Sequence, residues 1–418
     1  MRRPARFLLF SLLCTLLSQA PARASDLALV GAKIYLSPVE PPLEDGTILV
    51  HDNQIVAVGP SASTKPRRFA RSVTVIDCHG KTIFAGFWNS HVHILTTDLM
   101  HAENRSSQQL SAQMEQMFTR WGFTTVFDIA SVLDNTNNIR IRISHHEILG
   151  PRILTVGEPF YGPGGTPVYI QGFLQENHIP LPEVASVSQA VERVRQQVRD
   201  GADGIKIFAG SIQAHDVLLM PADLAAAVVT EAHKAGQPVF AHPSNTEGIE
   251  LALVAGVDIL AHTTPMSGPW TPELTQRIKA AHMALIPTLT LFDVEGKKFG
   301  ETPAQTEDDL NKAAQQLKSY SDAGGQILFG TDVGYTDHFD TSEEFTLMSR
   351  AGLAFQQILA ALTTSPAERF GYASHSGHIA NGMDADLVVL DADPAKDISA
   401  FSRVIFTIRQ GKIIYRAH

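Results

Sequence analysis

The chain is expected to be an α/β protein: a (β/α)8 TIM barrel with a small β-sandwich domain formed by both termini. Three observations predict this. Between about residues 86 and 370 a helical stretch, a glycine and a short apolar strand follow one another repeatedly, the rhythm of parallel strands joined by helices. β-rich runs punctuated by turns fill the stretch before residue 86 and return after residue 385. Histidine, lysine and aspartate recur where the barrel strands end, and in such barrels the C-terminal strand ends converge on one mouth. A doubly wound open sheet is the alternative.

In chain order, Arg2, Arg3 and Arg6 precede an apolar stretch from Phe7 to Leu17, and Ala22-Arg23-Ala24 follows. That is the charged, apolar, small-residue order of a secretory signal. Cleavage after Ala24 makes Ser25 the first residue of a secreted or periplasmic protein. The apolar stretch is too short to cross a bilayer, and Leu13 before Cys14 is not the small residue that lipid attachment requires, so no membrane anchor is expected. Four arginines and no acidic residue leave with the signal, moving the net charge from −10 to −14. This acidity argues against nucleic-acid and anionic-membrane partners. Of the two cysteines only Cys78 remains, so no internal disulfide forms, and a buried structural thiol is expected.

Strands are expected over residues 27–36, 47–50, 54–58 and 73–76, with turns at Asp52-Asn53 and His79-Gly80. At the far end they return over 386–391, 404–408 and 412–415. Neither piece has enough strands to bury a core alone. Residues 25–85 and 371–418 are therefore expected to form one composite domain, and residues 86–370 the barrel. The 418-residue length and 44% hydrophobic content suffice for both. Barrel strands are expected at 124–129, 153–157, 204–208, 238–241, 257–261, 284–288 and 326–330. The helices include 188–199, 221–235 and 305–323.

Residues two apart on a strand share a face, so His91 and His93 can grip one metal ion together. Lys206, His242, His262 and Asp332 fall at later strand ends, so six residues face one point. Taken singly, a histidine here reads as a hydrogen-bonded core residue and Asp332 as a helix cap; jointly those readings need six coincidences of position. Lys206 alternates with apolar neighbours in Gly204-Ile205-Lys206-Ile207-Phe208, which puts an ammonium inside the barrel at a cost on the order of several kcal/mol. An ion pair, a Schiff base with a carbonyl substrate, or capture of carbon dioxide as a carbamate would each account for it. The flanking histidines favour the carbamate, a carboxylate on a long arm that can bridge two cations.

The set of His91-x-His93 after Ala85-Gly86-Phe87, the Lys206 strand, His242, His262, Gly330-Thr331-Asp332 and the run Gly382-Met383-Asp384-Ala385-Asp386-Leu387 resembles the amidohydrolase superfamily over nearly the whole mature chain. Gly201-Ala202-Asp203-Gly204-Ile205-Lys206 and Ala255-Gly256-Val257-Asp258 resemble its exported, prolidase-like dipeptidases, often labelled imidazolonepropionase-like. Imidazolonepropionase itself lacks the bridging lysine. The resemblance implies that His91, His93 and Asp332 hold one divalent ion and His242 and His262 a second. Carboxylated Lys206 would join the two ions. It further implies a hydroxide bridging the ions as nucleophile, and Asp332 as catalytic proton shuttle. Nitrogen and oxygen ligands without thiolate suit Zn2+.

The sequence departs from that group at His242-Pro243-Ser244-Asn245, where His-Ala-x-Gly is usual, and in lacking a histidine beside paired glycines after the third strand. The pocket is therefore expected to differ. Tyr161 and Tyr169, on a long loop at the mouth, and His338, soon after Asp332, are candidate substrate contacts. Lys297-Lys298 is a candidate binder of a substrate carboxylate, and His145-His146 is expected at the surface. The function expected is hydrolysis of an amide C–N bond in a small molecule, a dipeptide or N-acyl amino acid. A lactonase, esterase or phosphotriesterase-like hydrolase is the chemical rival, and a non-catalytic metal-containing binding protein the rival from another class. Assembly into a homo-oligomer is left open.

Overall fold

The computed structural model describes residues 26–66 and 73–417; the signal-like segment and Ser25 lie outside them. Three parallel strands, Phe87–Val92, Phe123–Asp128 and Arg152–Thr155, form one arc of the barrel. Ile205–Phe208, Val239–His242, Ile259–Ala261 and Ala284–Ile286 form a second. Two seams close the ring. On one side Phe160 hydrogen-bonds to the backbone of Lys206 and Phe208 at 2.8 and 3.0 Å. On the other, the segment around 326–333 pairs through bridges Leu285–Ile327 and Val92–Val333. The expected eighth strand is thus present as a bridging segment without a continuous ladder.

Alternation along the strands sorts their side chains. Ile205, Ile207, Val239 and Ala241 pack outward against the helices, whereas Trp88, Phe127, Phe240, Ile259, Ala261 and Ile286 fill the interior. That phase sends Lys206 and His242 inward. The terminal strands hydrogen-bond as one branched eight-stranded sheet in the order Lys412–Arg416, Val404–Arg409, Leu387–Leu390, Thr82–Ala85, Leu27–Ile34, Leu43–His51 and Gln54–Pro60, with Thr74–Asp77 also against Leu27–Ile34. Residues from strands across it, Leu29, Val50, Ile83, Val389 and Ile408, share one core. The expected sandwich is therefore one sheet wrapped on its own core. Cys78 is buried there, and burial pushes its thiol up to about 12, as an inert structural thiol requires.

A helix at the barrel mouth was not expected. The loop after the third strand contains the helix Val168–Glu176, which lays Tyr169, Ile170, Phe173 and Leu174 against the barrel mouth. Among the described residues no helix is long and apolar enough to cross a membrane.

Candidate metal centre

His91 and His93 reach the interior through a bulge. Trp88 points inside and Val92 outside, and the pairing register with Phe123–Asp128 shifts between Asn89 and Val92, so the side chains after the shift are re-aimed. The two Nε2 atoms lie 3.3 Å apart. Hydrogen bonds weld this strand to the Gly330-Thr331-Asp332 turn: Asn89 donates to Thr331 Oγ1 at 2.8 Å, and the Asp332 amide to the His91 carbonyl at 2.9 Å. Gly334 is needed where that turn leaves; its φ is 101°, and a Cβ there would stand 1.8 Å from the His93 carbonyl oxygen.

Asp332 places Oδ1 2.7 Å from His93 Nε2 and 3.1 Å from His91 Nε2. His93 donates Nδ1–H to the Ala130 carbonyl at 2.8 Å, which leaves its Nε2 as a bare lone pair in the neutral ring. Oδ1 finds no hydrogen-bond partner. Two buried acceptors therefore face each other at hydrogen-bond distance with no hydrogen between them, an arrangement that a cation relieves. These three residues alone bring ligand atoms within 4.8 Å of one another in the manner of a metal site among the described residues. Burial, despite Asp332 nearby, holds His91 down to about 3.

His262 and His242 stand beside this cluster, with ring centroids 4.7 Å apart and His262 4.6 Å from His91. His242 stacks on Phe208 at 4.6 Å. Strict alternation after Ile259 and Ala261 would send His262 outward; a left-handed φ of 87° turns it back, a strained backbone of the kind found at functional sites. Its Nδ1 lies 2.6 Å from Thr288 Oγ1, whose own hydrogen goes to the Pro287 carbonyl at 2.8 Å. Thr288 therefore accepts from Nδ1–H and leaves Nε2 as the lone pair. Burial and the Lys206 charge hold His242 well below its ordinary range.

Lys206 is 1% exposed. Among the described residues no carboxylate lies within ion-pair distance of it, so the ion-pair account of this lysine lacks a partner. Burial, only partly countered by Asp332, lowers its ammonium to about 7. An appreciable neutral-amine fraction at physiological pH follows.

Sequence reasoning missed the residues that hold the ligands. Asp128, fully buried at the end of its strand, accepts from Ser131, Thr136 and Thr155 at 2.5, 3.1 and 2.9 Å and fixes the loop whose Ala130 carbonyl orients His93. Glu344 accepts from the Leu289 and Thr290 amides at 2.9 and 2.8 Å. It thereby caps the helix Leu289–Phe299 and pins Thr288, itself left-handed at φ 47°. No local motif marks either carboxylate: Glu344 serves a loop 54 residues away, and Asp128 joins the loop that follows it to Thr155, 27 residues on. Burial raises the Glu344 carboxyl from 4.5 to about 7, against its hydrogen bonds. Between these values the folded protein keeps a proton that the unfolded chain has released, so this group's contribution to stability falls as pH rises through that window. The expected loss is on the order of 3 kcal/mol across it. Denaturant titrations from pH 4.5 to 7.5 check this: the slope should flatten in Glu344→Gln, and equal slopes would show that Glu344 is ionised throughout.

The candidate substrate residues separate. Tyr161 and Tyr169 line the cavity above the histidines, and neither phenol oxygen has a protein hydrogen-bond partner among the described residues. His338 does not line that cavity; it faces a neighbouring cleft, 3.7 Å from Glu343. Lys297 pairs with Asp293, and Lys298 lies over the Tyr335 ring at 4.9 Å. Neither lysine lines the main cavity, so the proposed carboxylate-binding pair is not placed to act there. His145 and His146 are exposed, as expected.

The chain is similar in sequence and in fold to known proteins. The chain is 23% identical to ochratoxinase of Aspergillus niger over 86% of this chain and 80% of that one. It is 22% identical to L-hydantoinase of Paenarthrobacter aurescens over 84% and 83%. The fold matches that of a Xaa-Pro dipeptidase crystallised with methionine in its active site, with a TM-score of 0.79 at 21% identity, covering 94% of this chain and all of the other. A family model described as the amidohydrolase family matches residues 82–414, and the chain accordingly belongs to the amidohydrolase family.

Proposed function

We propose that the protein is an exported, metal-dependent hydrolase of amide C–N bonds in small molecules. The observation that carries this reading is the bare Asp332 Oδ1 held against two imidazole nitrogens, one of them a fixed lone pair, inside a barrel mouth. His91, His93 and Asp332 would hold one divalent ion, and His242 and His262 a second. Lys206, carboxylated, would join the two. Its amine is suited to this because the neutral form attacks carbon dioxide and releases one proton, giving a carbamate. Donors of this kind suit zinc. When bound, such ions supply Lewis-acid polarisation of a carbonyl and a more acidic water.

The chain's own residues do the rest. Asp332 takes the proton of the attacking water at a carboxylate oxygen and returns it to the departing nitrogen, which leaves as a neutral amine. The Thr288 and Ala130 oxygens hold the imidazoles in the tautomer that keeps Nε2 inward. Tyr161 and Tyr169 offer free phenol donors to the substrate. Ochratoxinase, hydantoinase and dipeptidase relatives support amides as the substrate class.

The test is a panel of matched amides, esters and phosphotriesters assayed with zinc-loaded and chelator-stripped protein. Metal-dependent amine release should exceed ester and phosphotriester cleavage in kcat/KM, because protonation by Asp332 helps a poor leaving amine far more than an activated alcohol. A strong lactonase that releases no amine would reverse the assignment.

A further inference from the structure

The candidate metal centre opens into a cavity of about 510 Å³ whose wall is chiefly apolar, with Ile170, Phe173, Leu291 and Phe292 prominent. Met266 and Phe299, 69% and 61% exposed, carry this apolar surface onto the rim. The charges on the wall are one-sided. Among the described residues no lysine or arginine apart from Lys206 lines it, whereas Glu158, Glu295, Glu301 and Asp309 do, in addition to Asp332.

Asp309 pairs with Lys312, and Glu158 and Glu301 each accept one hydrogen bond, from the Leu133 amide and the Thr306 hydroxyl. Glu295 likewise accepts a single hydrogen bond, but from a tyrosine beside the candidate metal centre. Tyr335 donates to its Oε1 at 2.9 Å, and among the described residues its Oε2 has no partner and no cation lies within ion-pair distance. Tyr335 follows Asp332 by three residues and touches Tyr169 at 5.4 Å between ring centroids, so this open carboxylate oxygen lies one tyrosine away from the reacting centre. Desolvation, partly offset by the Tyr335 hydrogen bond and the nearby Lys298 charge, raises Glu295 to about 7.

Resting on the amide-hydrolase reading, we propose that the cavity selects bulky apolar amides whose substrate arm ends in an ammonium group received by Glu295 and Tyr335, and disfavours amides with a free carboxylate on that arm. An ammonium placed there gains a half-desolvated charge-assisted hydrogen bond. A carboxylate beside Glu295 would lose its water next to another carboxylate, with no lysine or arginine on that part of the wall in compensation. This narrows the substrate towards amides that carry an amino group on that arm.

Three 2-naphthylamides with a six-carbon acyl arm, ending in an ammonium, an acetamide or a carboxylate, test this on the zinc-loaded protein at about pH 8. The ammonium substrate should exceed the acetamide by about tenfold in kcat/KM, with the carboxylate slowest. In Glu295→Gln the ammonium-to-acetamide ratio should fall to within about twofold. Calorimetry supplies a readout independent of turnover: 4-phenylbutylamine should bind the wild type about fivefold or more tighter than 4-phenylbutan-1-ol, and equally in Glu295→Gln. A flat ratio in the wild type, a preference for the carboxylate, or an ammonium advantage that survives Glu295→Gln overturns the proposal. If amine binding behaves as stated but no naphthylamine is released with metal present, the subsite stands and the amide-hydrolase reading falls. Metal-dependent release with a flat ratio removes the subsite and leaves the amide-hydrolase reading standing.

Discussion

Lys206→Ala is expected to retain at least one fewer metal ion per chain than the wild type and to lose about a hundredfold or more of its activity. The barrel itself should survive. The strand Ile205–Phe208 is held by backbone pairing to Val239–His242 and by the Phe160 bridge, and removing a buried ammonium that lacks an ion-pair partner takes away a desolvation cost. Loss of activity alone does not separate a carbamate from a Schiff base, so rescue is the informative arm. Acetate or propionate added with zinc should partly restore both metal content and turnover, since a free carboxylate can fill the space the side chain vacates. It must do so without the tether's advantage in effective concentration. Borohydride should trap no substrate adduct on the wild type, and reactivation of stripped protein should need carbon dioxide as well as metal. A wild type that binds one ion only, or that is trapped by borohydride at Lys206, would remove the two-metal reading.

How much of this site was legible from sequence follows from how each residue reaches it. Lys206 and His242 obey strand alternation, so their inward direction can be read directly from Ile205, Ile207, Val239 and Ala241 pointing the other way. His91 and His262 do not: a register shift re-aims one and a left-handed φ of 87° the other, and neither leaves a periodic signal. Their spacing and a family resemblance are what mark them. The eighth strand is overdrawn from sequence because its apolar residues promise a ladder, whereas only Ile327 and Val333 make bridges. The helix Val168–Glu176 is hidden behind the glycines and prolines that precede it. Glu295, Glu344 and Thr288 stay out of reach because their partners lie at long range; Glu344 meets Thr290 54 residues away.

Asp332→Asn provides a sharper test of the centre, because it is expected to move stability and function in opposite directions. In the wild type without metal, Oδ1 confronts the His93 lone pair at 2.7 Å and carries no hydrogen bond. An asparagine of nearly the same shape can turn an N–H towards that lone pair and satisfy both groups without a cation. The metal-free variant should therefore be more stable than metal-free wild type by about 1 to 3 kcal/mol, the cost of a buried polar group left unpaired. Added zinc should then raise the wild-type Tm far more than the variant's, since stabilisation by a ligand follows its affinity for the folded state and the variant has lost an anionic donor. Turnover at saturating zinc should fall by about 10²- to 10⁴-fold, the range associated with removing a proton-transfer group, because an amide neither takes the proton of the attacking water nor returns it to the amine. Differential scanning calorimetry with and without chelator, beside amine-release kinetics, reads all three quantities. An Asp332→Asn protein with wild-type turnover, or with an undiminished zinc-dependent rise in Tm, would show that this carboxylate neither holds the ion nor moves the proton.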